Sequence, residues 1–485
     1  MSGVKENACD FLFVGGEVID GTGAERVRAD LAVTGDRVSA IGDLSNMLAG
    51  RKIDATGRIV APGFIDVHTH DDNLLFCEPD MTPKTSQGVT TVVVGNCGVS
   101  LAPLVLPDGP PPPPMDLLGD SGDYRYERFS DYLDSLEETP AATNAAFLVG
   151  HSTLRLNSMD DVTRPAKAGE IDAMAKIVDE AMQCGATGFS TGLIYGPNKA
   201  APTDEIIALA QAASDGDGIY VTHMRNEADK IDEALEETFE IGRRANLPVV
   251  VSHHKCAGKM NHGRSRETLA RFDRAAKSQK VGLDVYPYNA GSTVILTEMI
   301  DVAERVIITW SEARPEFAGC DLAEISTELG CSKKEAAAQL IPGGAIYFMM
   351  SEEDVQRILA YPNSMVGSDG LPHDSHPHPR LWGTFPRVLG HYARDLGLFP
   401  LEDAVRRMTG LSASEFGLKD RGVLRQGAYA DITLFNPKTI IDSATFEQPM
   451  TQAEGIDLVM VNGGIIREAG QLTGARPGRA LRRNN

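Results

Sequence analysis

Gly63-Phe64-Ile65-Asp66-Val67-His68-Thr69-His70-Asp71-Asp72 is the stretch that decides the fold. Side chains alternate faces along a strand, so His68 and His70 point the same way. Apolar Ile65 and Val67 lead into them and acids follow. Two imidazoles on one side of a strand end are a chelate for a divalent metal. Taken alone, His-x-His also describes incidental strand-end histidines. Further candidate ligands at the ends of later strands give it weight.

Between residues 62 and 414 apolar runs of strand length alternate with helical stretches. Strands are expected at 64–70, 89–96, 145–151, 186–191, 219–223, 248–253, 282–286 and 364–369, and helices at 127–138, 169–184, 203–214, 228–245 and 265–279. Continuous runs such as Pro248-Val249-Val250-Val251 suit strands buried on both faces of a parallel sheet. Eight such strands with intervening helices specify an α/β fold, a (β/α)8 TIM-like barrel. The link from 287 to 363 is too long for a plain loop. Helical segments expected at 302–310, 321–339 and 352–360 make it a helical insertion between strands seven and eight, centred on residues 296–345. Short strands broken by Gly-rich turns fill residues 1–61 and 415–485, which are expected to meet in one small β-domain. Pro110 to Pro114 reads as a stiff surface stretch without chemistry.

Composition narrows the partners. The chain has 485 residues, a formal net charge of −22 and 42% hydrophobic residues. An acidic chain disfavours nucleic acid and anionic membranes. No stretch approaches a membrane span and Met1 to Asp10 lacks an apolar signal core, so a cytoplasmic protein is expected. Seven scattered cysteines are no disulfide framework and fit a reducing compartment.

Active sites of such barrels gather at the C-terminal ends of the strands. Strand one ends in His68 and His70, strand two in Cys97, strand three in His151 and strand five in His223. Strand six ends in His253-His254-Lys255, strand seven in Asp284-Val285-Tyr286 and strand eight in Asp369. Singly, a buried Cys is a small hydrophobe and an Asp after Ser is a helix cap. Together on one rim they read as a metal site, and the mix of imidazole, thiolate and carboxylate favours zinc.

These segments, with Gly95-Asn96-Cys97-Gly98, Thr222-His223-Met224-Arg225, Ala290-Gly291-Ser292-Thr293, Gly367-Ser368-Asp369-Gly370 and His378-Pro379-Arg380, resemble the N-acyl-D-amino-acid deacylases (D-aminoacylases) of the amidohydrolase superfamily. The resemblance covers nearly the whole chain, and Cys97 is its most specific mark. Many members of the superfamily use a carboxylated lysine on strand four instead; Thr187 to Gly192 offers none. It implies a tight zinc site of Cys97, His223 and His253, and a weaker second site of His68, His70 and Asp369 bridged by Cys97. Of the adjacent pair, His253 is taken as the ligand and His254 as packing behind it. It also implies a substrate-carboxylate pocket of Lys255, Tyr286, Ser292 and Arg380. An Arg fork, a Lys charge and hydroxyl donors suit that anion.

The implied reaction is hydrolysis of an N-acyl-D-amino acid to a carboxylate and a free D-amino acid. Zinc-activated hydroxide is the nucleophile, Asp369 the proton shuttle, and His151 stands either near the reacting carbonyl or in the framework. No Lys or Arg lies between Gly291 and Glu304, which leans the substrate toward neutral, apolar D-amino acids. A cyclic-amide hydrolase of hydantoinase or dihydroorotase type, and a non-catalytic scaffold on the same fold, are the alternatives.

Overall fold

The computed structural model describes residues 8–483. Its centre is an eight-stranded parallel sheet whose strands follow chain order: Phe64–Asp66, Val89–Val94, Asn144–Gly150, Gly188–Gly192, Ile219–His223, Val249–Val251, Val281–Val285 and Ser364–Val366. The first and last strands meet through a parallel bridge of Thr69 with Gly370 and a 2.8 Å bond from Asp369 N to His68 O. The sheet thus comes round on itself as a barrel. Ile65, Val67, Val93, Leu148, Val221 and Met365 fill its interior. The opposite faces of the strands pack under helices, which is why the strand sequences are apolar throughout.

The helices carry their own boundaries. Ile231–Ala245 buries Ile231, Leu235, Thr238, Phe239 and Gly242, the spacing of one helical face. Asp232 and Glu233 stand in its first turn and Arg243 and Arg244 in its last, matching the helix dipole. Asn246, left-handed at φ 53°, ends it.

The connection between the last two barrel strands differs from expectation in one element. Residues 302–310 are not helical: Arg305–Ser311 is a strand, joined with Gly343–Phe348 and Ala290–Val294 in a three-stranded antiparallel sheet. Val306-Ile307-Ile308-Thr309-Trp310 is β-branched and aromatic, and strand propensity prevails over the weak helical period. Helices Leu322–Leu329, Lys333–Ala338 and Glu352–Leu359 accompany this sheet.

The chain's two ends share a nine-stranded sheet, in which Ile432–Phe435 pairs with Ile59–Pro62. Ile59–Pro62 runs straight into the first barrel strand. Residues 478–483 return to the barrel, where Leu481 N donates to Ala145 O at 2.7 Å.

Lys84 fastens the seam between the first and eighth strands. It is fully buried, with Nζ 2.8 Å from Asp66 Oδ2 and 3.4 Å from Asp71 Oδ2, and it donates to Ser368 Oγ at 2.7 Å. Asp66 in turn accepts Ser368 N at 2.8 Å. Lys84→Met leaves two buried carboxylates without their cation. It should cost about 3–5 kcal/mol of stability, read by chemical denaturation. A loss under about 1 kcal/mol would show that the seam holds without the ion pair.

Asp116 lies buried in the short turn Met115–Leu117, and burial pushes its carboxyl up to about 7. In the unfolded chain it titrates near 3.9. Between those values the folded state holds a proton that the unfolded state has lost, so stability falls as pH rises through the window. Asp116→Asn should therefore be more stable than the parent by about 1–3 kcal/mol at pH 7 and by nothing near pH 3.5. Equal differences at both pH values would contradict this.

Candidate metal centre

The bond that closes the barrel also sets His68 and Asp369 side by side. Asp284, on the seventh strand, stands 3.4 Å from His68 Nδ1 and accepts His253 N at 2.8 Å. That leaves His68 Nε2 facing Cys97 Sγ at 3.3 Å and Asp369 Oδ1 at 3.5 Å. His70 Nε2 reaches the same Asp369 oxygen at 3.3 Å. From the other side, His253 Nε2 and His223 Nδ1 stand 3.5 and 3.8 Å from Cys97 Sγ. Single donor atoms of His68, Cys97, His253 and Asp369 all lie within 4.8 Å of one another, as do those of His223, Glu227 and His253.

Backbone strain builds this arrangement. Cys97, His253 and Asp369 hold positive φ of 53°, 35° and 49°. A non-glycine residue there costs on the order of 1–3 kcal/mol, and such outliers gather at functional sites. Close approach does the rest. A Cβ on Gly367 would lie 2.5 Å from His68 Cβ, and one on Gly192 would lie 2.2 Å from Cys97 O. The end of the fourth strand is therefore pressed against the Cys97 backbone and has no room for a side chain.

Charge follows from the packing. Burial alone would push the Cys97 thiol up, but His68 and His253, with hydrogen bonds from His223 and His253, hold it well below its ordinary value. Burial likewise opposes ionisation of Asp369, and Arg380, His253, His68 and a bond from His70 overcome it. In return, burial disfavours charge on His70, yet Asp369 and Cys97 lift the imidazole to about 9. Two buried anions draw positive charge inward, and a divalent cation answers that demand as protons do. Sulfur, imidazole nitrogen and carboxylate oxygen together match zinc.

A cleft opens onto the cluster. His70, His223, His253, Lys255, Tyr286, Ser292 and Asp369 line it. Arg380 is buried behind: its guanidinium lies 4.5 Å over the Tyr286 ring, its Nη2 is 3.0 Å from Asp369 Oδ2, and the same nitrogen donates to Ser292 O at 2.9 Å. Lys255 Nζ is 2.7 Å from Glu227 Oε1 and 2.8 Å from His253 Nδ1. Ile194, Leu296, Met299, Met349 and Leu371 supply an apolar wall.

Two further strand-end histidines point away from the cleft. His254 sits behind the rim, bonded to Thr268 Oγ1 at 2.9 Å and edge-on to Phe272, and burial depresses it to about 3. His151 is not brought to the cleft. It opens the helix His151–Ser158 and is spent on Glu205 at 3.0 Å, which also pairs with Arg155. The placement beside a reacting carbonyl gives way to this buried His–Glu–Arg cluster.

Sequence reading missed Glu227 and Lys84. Glu227 follows His223 by four residues in a loop, and Lys84 lies in the short helix Thr82–Thr85. A signal for Glu227 was available in the His-x3-Glu spacing. None marked Lys84, whose partners lie up to 284 residues away.

The chain is 56% identical to D-aminoacylase of Alcaligenes xylosoxydans xylosoxydans over 100% of this chain and 99% of that protein. N-acyl-D-aspartate deacylase of the same organism is 51% identical over 97% of this chain and 95% of its own length. The crystal structure of N-acyl-D-glutamate deacylase from Bordetella bronchiseptica, complexed with zinc and a phosphonate inhibitor that mimics the tetrahedral intermediate, superposes with a TM-score of 0.95. It is 47% identical and covers 98% of this chain and 100% of that one. The amidohydrolase family model matches residues 51–467. With that span and those identities, this chain belongs to the amidohydrolase family.

Proposed function

We propose that this chain is a zinc-dependent N-acyl-D-amino-acid deacylase, an enzyme that hydrolyses its substrate to a carboxylate and a free D-amino acid. The carrying observation is one cleft in which the histidines of a Cys–His donor set, Asp369 and Lys255 meet, with Arg380 buried behind Asp369 at 3.0 Å. Its relatives' activities agree with that chemistry.

Cys97, His223 and His253 would hold the tight ion, and His68, His70 and Asp369 a weaker second one. Zinc, when bound, supplies Lewis acidity that makes water a usable nucleophile near pH 7 and polarises an acyl carbonyl. Asp369 takes the water's proton and returns it to the leaving amine nitrogen, a base that becomes an acid. Arg380, 3.0 Å from Asp369, keeps that carboxyl ionised at the start and fixes its direction. Lys255, Tyr286 and Arg380 receive the substrate's α-carboxylate, and the apolar wall takes a neutral side chain. Ser292 enters this pocket through its carbonyl, which holds Arg380, while its hydroxyl donates to Ala345 O at 3.3 Å. His151 belongs to the framework.

A hydantoin brings no free carboxylate to Lys255 and Arg380, which disfavours the hydantoinase-type alternative; dihydroorotate does carry one, and against that type stand Cys97 and the lack of a lysine between Thr187 and Gly192. No helix among the described residues is long and apolar enough to cross a membrane. All seven cysteines are unpaired, which supports a reducing, cytoplasmic setting.

Cys97→Ala should lose most bound zinc by elemental analysis. Asp369→Asn should keep its fold and the tight-site zinc while kcat falls about 10²–10⁴-fold, the range for a general acid–base. Undiminished zinc in the first, or near-parental kcat in the second, would overturn these assignments.

Stereochemistry is the second test. With the carboxylate clamped and the carbonyl held at the cluster, an L side chain meets the wall or lifts the carboxylate off its partners. Each lost charge-assisted contact costs about 1.5–3 kcal/mol, roughly ten- to hundredfold in rate. N-acetyl-D-leucine should exceed its L enantiomer, its amide and N-acetyl-D-glutamate in kcat/KM, by about 100-fold or more for the first two. Comparable values for the L form or the amide would remove the clamp.

A further inference from the structure

Glu227 faces three residues of the cleft at once. Its Oε1 lies 2.7 Å from Lys255 Nζ and 3.0 Å from His253 Nδ1, and its Oε2 lies 3.5 Å from His223 Nε2. Its own carbonyl accepts Ala257 N at 2.8 Å, which ties the loop after the fifth strand to the loop after the sixth. The carboxylate is buried, and Lys255, His223 and His253 hold it ionised against that burial. On each imidazole the other nitrogen is the one that faces Cys97 Sγ: His253 Nε2 at 3.5 Å and His223 Nδ1 at 3.8 Å.

A neutral imidazole carries hydrogen on one nitrogen and a lone pair on the other. At His253 two neighbours compete for Nδ1. Lys255 Nζ, 2.8 Å away, can only donate, whereas Glu227 Oε1, 3.0 Å away, can only accept. If Nδ1 accepts from Lys255, the ring hydrogen sits on Nε2, aimed at the sulfur, and no lone pair is offered there. If Nδ1 donates to Glu227, Nε2 turns its lone pair toward Cys97. The same reasoning at His223 requires Nε2–H toward Glu227 for Nδ1 to face the sulfur as a donor atom.

We propose that Glu227 is the shared positioning residue of the tight metal site. It draws the N–H groups of His223 and His253 to its own side and engages Lys255, so that both imidazoles present lone pairs toward Cys97. This rests on the reading of Cys97, His223 and His253 as the zinc ligands. A carboxylate behind a ligating histidine sets tautomer and ring orientation, and its loss weakens metal binding 10–100-fold. Here one carboxylate lies within reach of both rings, 3.0 Å from His253 Nδ1 and 3.5 Å from His223 Nε2, a buried nitrogen that has no hydrogen bond among the described residues.

The test is zinc affinity, measured on the full-length holoenzyme by competition with a chelator and independent of turnover. Glu227→Gln should bind zinc 10–100-fold more weakly. Lys255→Met, which removes the competing donor, should bind it as tightly as the parent or more tightly. Unchanged affinity in Glu227→Gln overturns the proposal, as does loss of affinity in Lys255→Met. If Cys97→Ala retains parental affinity while Glu227→Gln does not, Glu227 is itself a ligand in place of the sulfur and the proposal also falls. Should Glu227→Gln not fold, Glu227→Asp keeps the charge but withdraws it by one methylene, and parental zinc affinity there overturns the proposal as well. A parent that holds zinc in this Glu227-dependent way but hydrolyses no N-acyl-D-amino acid would remove the deacylase reading and leave this inference standing.

Discussion

The hydrogen bond from Asp369 N to His68 O is where the barrel closes and where its chemistry begins. A parallel sheet of eight strands can remain open; this one is drawn shut at that bond, at the Thr69–Gly370 bridge and at Lys84 below them. Closure brings the last strand's carboxylate against the first strand's imidazoles, residues some 300 positions apart in the chain. Asp369 holds its left-handed backbone because both flanks are tied. Ser368 is bonded to Asp66 and Lys84, and Gly370 N donates to Ser368 Oγ at 3.2 Å. Strain at Asp369 is thus carried by the seam, and the geometry of the cluster depends on the stability of the barrel.

A second dependence is electrostatic. The barrel mouth buries a thiol and a carboxylate among imidazoles, and each anion is held ionised only by the cations around it. Such a cluster is expensive unless it is fully paired. Nature's usual answer in a site of sulfur, nitrogen and oxygen donors is a metal ion, whose charge replaces that of the protons. The same logic reaches outward. Lys255 and Arg380 are buried cations, and each already has an acid partner, Glu227 and Asp369 respectively. A substrate carboxylate therefore joins existing pairs.

The barrel was legible because each strand is apolar on both faces and ends in a chemically loud residue. His68, His70, Cys97, His223 and His253 announce themselves by residue type and by position after such runs. Alternation says only that one of His253 and His254 can face the barrel axis; the choice of His253 rests on the family resemblance, and the structure sets His254 against Thr268 and Phe272. What escaped was of two kinds. Val306 to Trp310 was read by the wrong period, since a short apolar run does not separate helix from strand. Glu227 and Lys84 are ordinary charged residues outside the strands, and their importance lies wholly in long-range contacts. His151 shows the converse error: a strand-end histidine of the right type whose ring is claimed by Glu205 in the framework.

The apolar wall draws on two layers of the molecule: Ile194 and Leu371 follow barrel strands, as Lys255 and Tyr286 do, while its other residues come from the connection between the last two strands. Lys255 and Tyr286 follow barrel strands, as do the histidines, so the proposed clamp for an α-carboxylate is built on the same strand ends as the cluster. Leu296, Met299 and Met349 belong to the insertion, next to the three-stranded sheet that stands over the mouth. Ser292 joins the two layers, since it lies on that sheet and its carbonyl holds Arg380. In the proposed deacylase, barrel loops would fix the reacting amide against the metal and Asp369, while the insertion would shape part of the side-chain pocket. Changes in the insertion can alter which side chain fits without moving the carboxylate clamp or the cluster. The link at Ser292 limits how far that freedom goes, because displacing it would shift Arg380 and, through Arg380, the carboxylate of Asp369.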